Sequence, residues 1–166
     1  DTDHPLIIKV ASLPSARMQI YFIDNDDYFM KRGILTDKDG KEYTDNCERA
    51  IFYARGVLET VKKLRWVPDV IHCHGWAAAL APLYIKKAYN EEPSFRDTKV
   101  VIEASPKEFE QDLGTENAKF VEYKDVSYDD IKDICENKFG HTELVKIGVK
   151  FADGVIIENS NTDSAI

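Results

Sequence analysis

The chain has 166 residues, 43% of them hydrophobic, which is enough to bury one core and reads as a single domain. Its formal charge of -8, from 22 Lys and Arg against 30 Asp and Glu, argues against nucleic acid or an anionic membrane as a general partner. No apolar run approaches the ~20 residues of a membrane span, and Cys47, Cys73 and Cys135 are widely spaced with no CxxC, as reduced thiols of a cytoplasmic protein would be.

The opening Asp1-Thr2-Asp3-His4-Pro5 has no methionine and runs at once into Leu6-Ile7-Ile8, as a chain entered partway through a domain would. Leu6–Ala11 and Met18–Ile23 are β-like runs joined by the turn formers Ser12-Leu13-Pro14-Ser15. Asp24-Asn25-Asp26-Asp27 ends the second run. It lacks the glycine and terminal glutamate of a twelve-residue calcium loop, so a strand-terminating turn is the better reading. Thr36-Asp37-Lys38-Asp39-Gly40 is a surface loop. From Asp45 to about Leu64 the apolar positions Ile51, Ala54, Leu58 and Val61 recur at helical spacing, and Asp45 with Glu48 has the spacing of a capping box.

Val70–His72 is the next expected strand and Trp76–Ala88 the next helix, with Pro82 inside it, where an interior proline costs ~3 kcal/mol and kinks the helix. Lys99–Glu103 is a further strand and Phe120–Tyr123 a weaker one. The stretch from Pro106 to Lys124 lacks periodicity and reads as a loop excursion. Ser127 with Asp130 caps a helix whose inner face is Ile131, Ile134 and Cys135. Thr142 opens another carrying Leu144, Val145, Ile147 and Phe151. Gly154–Ile157 is the last strand, followed by Asn159-Ser160-Asn161-Thr162-Asp163, a run rich in helix N-cap residues. Short apolar strands alternating with helices imply a parallel sheet covered by helices, an α/β fold.

The segment Pro68-Asp69-Val70-Ile71-His72-Cys73-His74-Gly75-Trp76 concentrates the chemistry. A buried strand runs through a glycine turn into a helix, and open α/β sheets place ligands at the carboxyl ends of their strands. His72 and His74 share a strand face while Cys73 points away. No third His or Cys falls at a spacing that would complete a metal site. His72 is readable as a core histidine bonded to backbone; His74, beside Gly75, is the functional candidate. Trp76 is most simply a core anchor. Asp45 has two compatible readings: helix cap, or a carboxylate that projects into a cleft and accepts bonds from sugar hydroxyls. There is no Walker loop, no GxGxxG fingerprint and no nucleophile–base–orienter set.

The order of several motifs resembles the glycogen and starch synthases. Their Pro-Asp-(Val/Ile)-(Val/Ile)-His-x-His-Asp-Trp…Ala-Leu-(Ala/Val)-Pro segment is matched by Pro68 to Trp76 and Ala79-Leu80-Ala81-Pro82. Ile20-Tyr21-Phe22-Ile23-Asp24-Asn25 matches an upstream strand, Asp45-Asn46-Cys47-Glu48-Arg49-Ala50 the Asp-Asn-x-x-Arg helix start, and Phe151-Ala152-Asp153-Gly154-Val155 a late strand entry. The resemblance implies a Rossmann-like parallel sheet with helices on both faces, one half of a two-domain GT-B glucosyltransferase. Residues 1–166 would be part of the N-terminal, acceptor-side domain, without the C-terminal nucleotide-binding domain.

The activity implied is transfer of glucose, with retention, from ADP-glucose or UDP-glucose to the non-reducing end of an α-1,4-glucan, with no essential metal or other cofactor. His74 and Asp45 are then the catalytic candidates, and Asn46, Arg49 and Gly75 the substrate-binding ones; this piece alone is expected to be inactive. Three departures stand out: Gly75 replaces the motif's aspartate, Glu103-Ala104-Ser105 stands where Thr-His-Asn is usual, and the phosphate-binding Lys-x-Gly-Gly does not occur. They leave open a non-catalytic glucan- or nucleotide-sugar-binding relative, and a flavodoxin-like domain of shared topology is a third reading.

Overall fold

A computed structural model describes residues 4–30, 33–157 and 166. Ile7–Leu13 (β1) and Met18–Asp24 (β2) pair antiparallel, Ile7 opposite Asp24 and Leu13 opposite Met18. The connection is a 3₁₀ turn at Pro14–Ala16, closed by Arg17 at a positive φ of 50°. Both runs are thus strands, but they form their own two-stranded sheet outside the parallel one. Asp24 to Asp27 do more than end a strand: Asn25 accepts the Tyr28 amide through its side chain and caps the one-turn helix Asp26–Phe29 (α1).

Asn46–Lys63 (α2) is the long helix read from the apolar periodicity, and Ala50, Ala54 and Leu58 on its inner face are at most 1% exposed. The expected capping box is absent. Asp45 sits at the N-cap with its backbone carbonyl accepting from Arg49, but its side chain makes no capping bond, and Glu48 turns away to accept from the Tyr28 hydroxyl at 3.2 Å.

Val70–Cys73 (β3), Lys99–Ala104 (β4) and Gly154–Ile157 (β5) form a parallel sheet in the order β3-β4-β5, with Ile71 beside Val100 and Ile102 beside Val155. Gly75 leads into a 3₁₀ turn at Trp76–Ala78, and Ala81–Lys87 (α3) follows. Pro82 therefore lies in the first turn of α3, where no intrahelical amide is needed and a proline costs little; the anticipated kink does not arise. Lys132–Cys135 (α4) follows the Ser127–Asp130 capping box, and His141–Phe151 (α5) precedes β5.

The core lies between α2, α3, α5 and one face of the sheet. Val100, Ile102 and Ala104 are at most 2% exposed beneath it, alongside Leu83, Tyr84, Leu144 and Ile147. α5 approaches so closely that a Cβ on Gly148 would stand 2.1 Å from Ile102 Cδ1. The opposite face carries His72, Glu103 and Ile156, and Val70 on the β3 edge is 56% exposed. The sheet thus has an uncovered apolar border.

Residues Pro106 to Lys124 are not an excursion. Phe109, Leu113, Ala118 and Val121 are buried in the common core, and Phe120–Tyr123, instead of a strand, ends a 3₁₀ segment spanning Thr115–Val121. Aperiodic spacing hid this because Phe109 and Leu113 come from irregular chain and Ala118 and Val121 from one short 3₁₀ segment, whose period is neither that of an α-helix nor that of a strand. The Asn159–Asp163 run lies outside the described residues. Among the described residues no helix is long and apolar enough to cross a membrane, and the three cysteines are free and buried.

Candidate functional site

Alternation along β3 puts Cys73 into the core, 3% exposed, and turns His72 to the open face. His72 is therefore not the core histidine expected from sequence; its side chain is 49% exposed. Glu103, the fifth residue of β4, faces the same way. One of its oxygens, Oε2, receives both imidazoles, His74 Nδ1 at 2.9 Å and His72 Nε2 at 3.2 Å. The hydrogen bond from His74, then the charges of His74 and His72, hold the Glu103 carboxyl below the ordinary range against the opposing effect of burial. Glu103 was missed from the sequence. Its signal was there: it stands at the carboxyl end of a strand whose other face is Val100 and Ile102.

The turn after His74 has a specific backbone. Gly75 adopts φ 78° and ψ 163°, a region essentially closed to residues with a Cβ. It sends the chain over the end of the sheet and buries Trp76, the anchor read from sequence, 5% exposed. The Trp76 amide is capped at 2.9 Å by Glu108 Oε1, an oxygen that also lies 3.4 Å from Ser105 Oγ and from His141 Nε2. The Trp76 ring meets Phe109 edge-on at 5.8 Å, and Phe109 meets the His141 ring at 5.4 Å.

At the start of α2, the remaining candidates are anchored differently. Asn46 is fully buried and donates to Leu35 O and to Gln111 Oε1. Arg49, 5% exposed, donates to the carbonyls of Tyr28 and Ile34 and to Asn46 Oδ1. Burial pulls the Arg49 guanidinium down, opposed by the nearby Asp45 and Tyr43. In this arrangement Asn46 and Arg49 brace the loop before α2, and Asp45 is only partly buried beside them. Arg49 also borders a cavity of about 390 Å³ shared with Ile23, Phe29, Tyr53 and Trp76, which brings it to the flank of the His74 turn. A second cavity of about 580 Å³, lined by Tyr28, Phe52, Arg55 and Glu59, lies across α2 and touches none of Asp45, Asn46, Arg49, His74 and Gly75.

The structure thus groups the five candidates into two clusters, His74–Gly75 and Asp45–Asn46–Arg49. The stretch Ser105–Leu113 ties them together: Glu108 holds the amide of Trp76 while Gln111 holds Asn46 and the Tyr43 carbonyl. Among the described residues no group of three or more His, Cys, Asp or Glu side chains could hold a metal ion.

Residues 2–162 match the family model of the starch synthase catalytic domain. The glycogen synthase of Chlorobaculum tepidum is 35% identical over 154 residues, which cover 92% of this chain and 30% of that protein. The glycogen synthase of Chlorobium limicola is 44% identical over 103 residues, covering 61% of this chain and 21% of that one. The chain thus spans under a third of the length of these curated relatives. In structure it is similar to the catalytic domain of starch synthase IV from Arabidopsis thaliana, bound to ADP and acarbose: TM-score 0.67, 16% identity, 89% of this chain and 29% of that one.

Proposed function

The chain belongs to the starch synthase catalytic-domain family, and from that premise we propose that the protein containing it transfers glucose from ADP-glucose or UDP-glucose to the non-reducing end of an α-1,4-glucan with retention. This chain supplies the acceptor-side wall of the cleft, and a nucleotide-binding domain beyond it supplies the other.

The observation that carries the proposal is the imidazole pair on Glu103 at the carboxyl end of the sheet, beside a glycine turn. His74 is the more exposed of the two, with 68% of its side chain accessible, and its ring is oriented by the hydrogen bond between Nδ1 and a carboxylate. A carboxylate-supported imidazole can meet the positive charge that develops at a glucosyl carbon without forming a covalent intermediate. Asp45 supports the sugar hydroxyls from the other cluster. Asn46 and Arg49 are buried, so we assign them to binding through the backbone they hold: they fix the carbonyls of Tyr28, Ile34 and Leu35 against the start of α2.

The test is transfer of radiolabelled glucose to glycogen by the full-length protein, with ADP-glucose and UDP-glucose compared. The expected result is elongation that α-1,4-specific hydrolysis releases, with an α-configured product, and none from the 166-residue chain alone. Full-length protein that binds maltohexaose but transfers nothing would support the binding-protein reading instead.

A further inference from the structure

Gly75 cannot carry a functional side chain of its own. Its φ of 78° and ψ of 163° strain any residue with a Cβ, so a side-chain group standing over this turn comes from elsewhere in the chain. The structure supplies a carboxylate. A Cβ built on Gly75 would meet one group within 4 Å, Glu108 Oε2 at 3.9 Å. The two oxygens of Glu108 have separate tasks. Oε1 is fixed by the Trp76 amide, Ser105 and His141. Oε2 makes no hydrogen bond among the described residues and is presented over the glycine, one residue from His74.

We propose that Glu108 is a sugar-contacting residue of the cleft, its Oε2 accepting a hydroxyl of the glucosyl unit held against His74. This rests on the glucosyltransferase reading above.

Three observations support it. Glu108 is held by groups from three separate parts of the chain (Trp76, Ser105 and the start of α5), so its position is preorganised and not a surface accident. Its neighbour His141 is buried with a side chain wholly inaccessible, which leaves the carboxylate's exposed side facing the turn. Burial pushes the Glu108 carboxyl up, but the bond and charge of His141, the Trp76 amide and Ser105 outweigh it and hold the group below the ordinary range. At neutral pH an ionised Glu108 accepts hydroxyls and repels phosphate. Together with Glu103 behind His74, it makes this wall a place for the neutral sugar and not for the donor's diphosphate.

Glu108→Gln separates this role from a structural one. The amide oxygen can still cap Trp76, while the other position becomes a donor that no longer accepts. In the full-length protein we expect Glu108→Gln to melt within 1–2 °C of wild type yet lose about 10- to 100-fold in kcat/KM with glycogen or maltohexaose, the range for one charged hydrogen bond. Glu108→Ala, which also removes the cap, should lose a similar factor and melt lower. Wild-type kcat/KM in Glu108→Gln overturns the inference, as does a Gln variant whose activity falls only in step with its melting temperature. If wild type transfers no glucose, the glucosyltransferase reading fails, and maltohexaose binding then decides: about 10-fold weaker binding by Glu108→Gln supports the contact, and unchanged binding overturns it.

Discussion

On one face of the β3-β4-β5 sheet, Val100, Ile102 and Ala104 lie at most 2% exposed under α3 and α5; on the other, the side chains of His72 and His74 are 49% and 68% exposed and share a single carboxylate. Both faces come from the same few residues, since alternation sends Ile102 one way and Glu103 the other. The covered face is held by close packing and tolerates no change in volume. The open face is held by a few hydrogen bonds to side chains distant in sequence, and its side chains can be replaced without disturbing the core. Stability and chemistry are therefore separable by choosing a face.

The strongest test of that separation is a pair of truncations. Ile102→Ala should cost about 3–4 kcal/mol through lost burial and a cavity, while Val70→Ala, on the exposed edge, should stay within about 0.5 kcal/mol; urea unfolding midpoints compare them. Gly148→Ala comes next. The added methyl would stand 2.1 Å from Ile102 Cδ1 and 2.8 Å from the Ala79 carbonyl, so α5 must shift, at a cost of about 1–3 kcal/mol by the same measurement.

A smaller effect is expected from Glu103→Gln. The carboxyl of Glu103 is lowered in the folded protein, chiefly by its bond from His74, so its contribution to stability is present above the ordinary carboxylate range and is lost as pH falls through the lowered value. The variant should be slightly less stable than wild type at neutral pH and converge with it in acid, which flattens the acid limb of an unfolding profile followed by circular dichroism, and it should lower transfer activity by weakening the hold on the His74 ring. The smallest is Pro82→Ala. In the first turn of α3 it should change stability by no more than about 0.5 kcal/mol; a gain near the ~3 kcal/mol of an interior proline would mean that α3 begins earlier.

Elements with a clear period or terminus were legible in the sequence: the hairpin, α2, the three parallel strands, the Ser127–Asp130 box and α5. The local rules failed where a contact from far along the chain outcompeted them. Glu48 has capping-box spacing from Asp45 but is taken by Tyr28, twenty residues earlier in the chain. The buried roles of Asn46 and Arg49 depend on Gln111 and on the carbonyls of Tyr28 and Ile34, which no spacing reveals. His72 shares a strand face with His74, so the face that exposes His74 exposes His72 as well, and the reading as a core histidine fails. Glu108 lies in a segment without periodicity, and only the folded turn shows that it reaches the place Gly75 leaves open. The motif match located the turn, while the carboxylates that serve it, Glu103 and Glu108, come from 29 and 32 residues away.

The most direct test of the role of His74 is glucose transfer to glycogen by the full-length protein in two variants two residues apart, His74→Ala and His72→Ala. Loss of His74 is expected to lower kcat by at least about 100-fold, with little change in melting temperature, and loss of His72 to cost far less. Full activity in His74→Ala would contradict it.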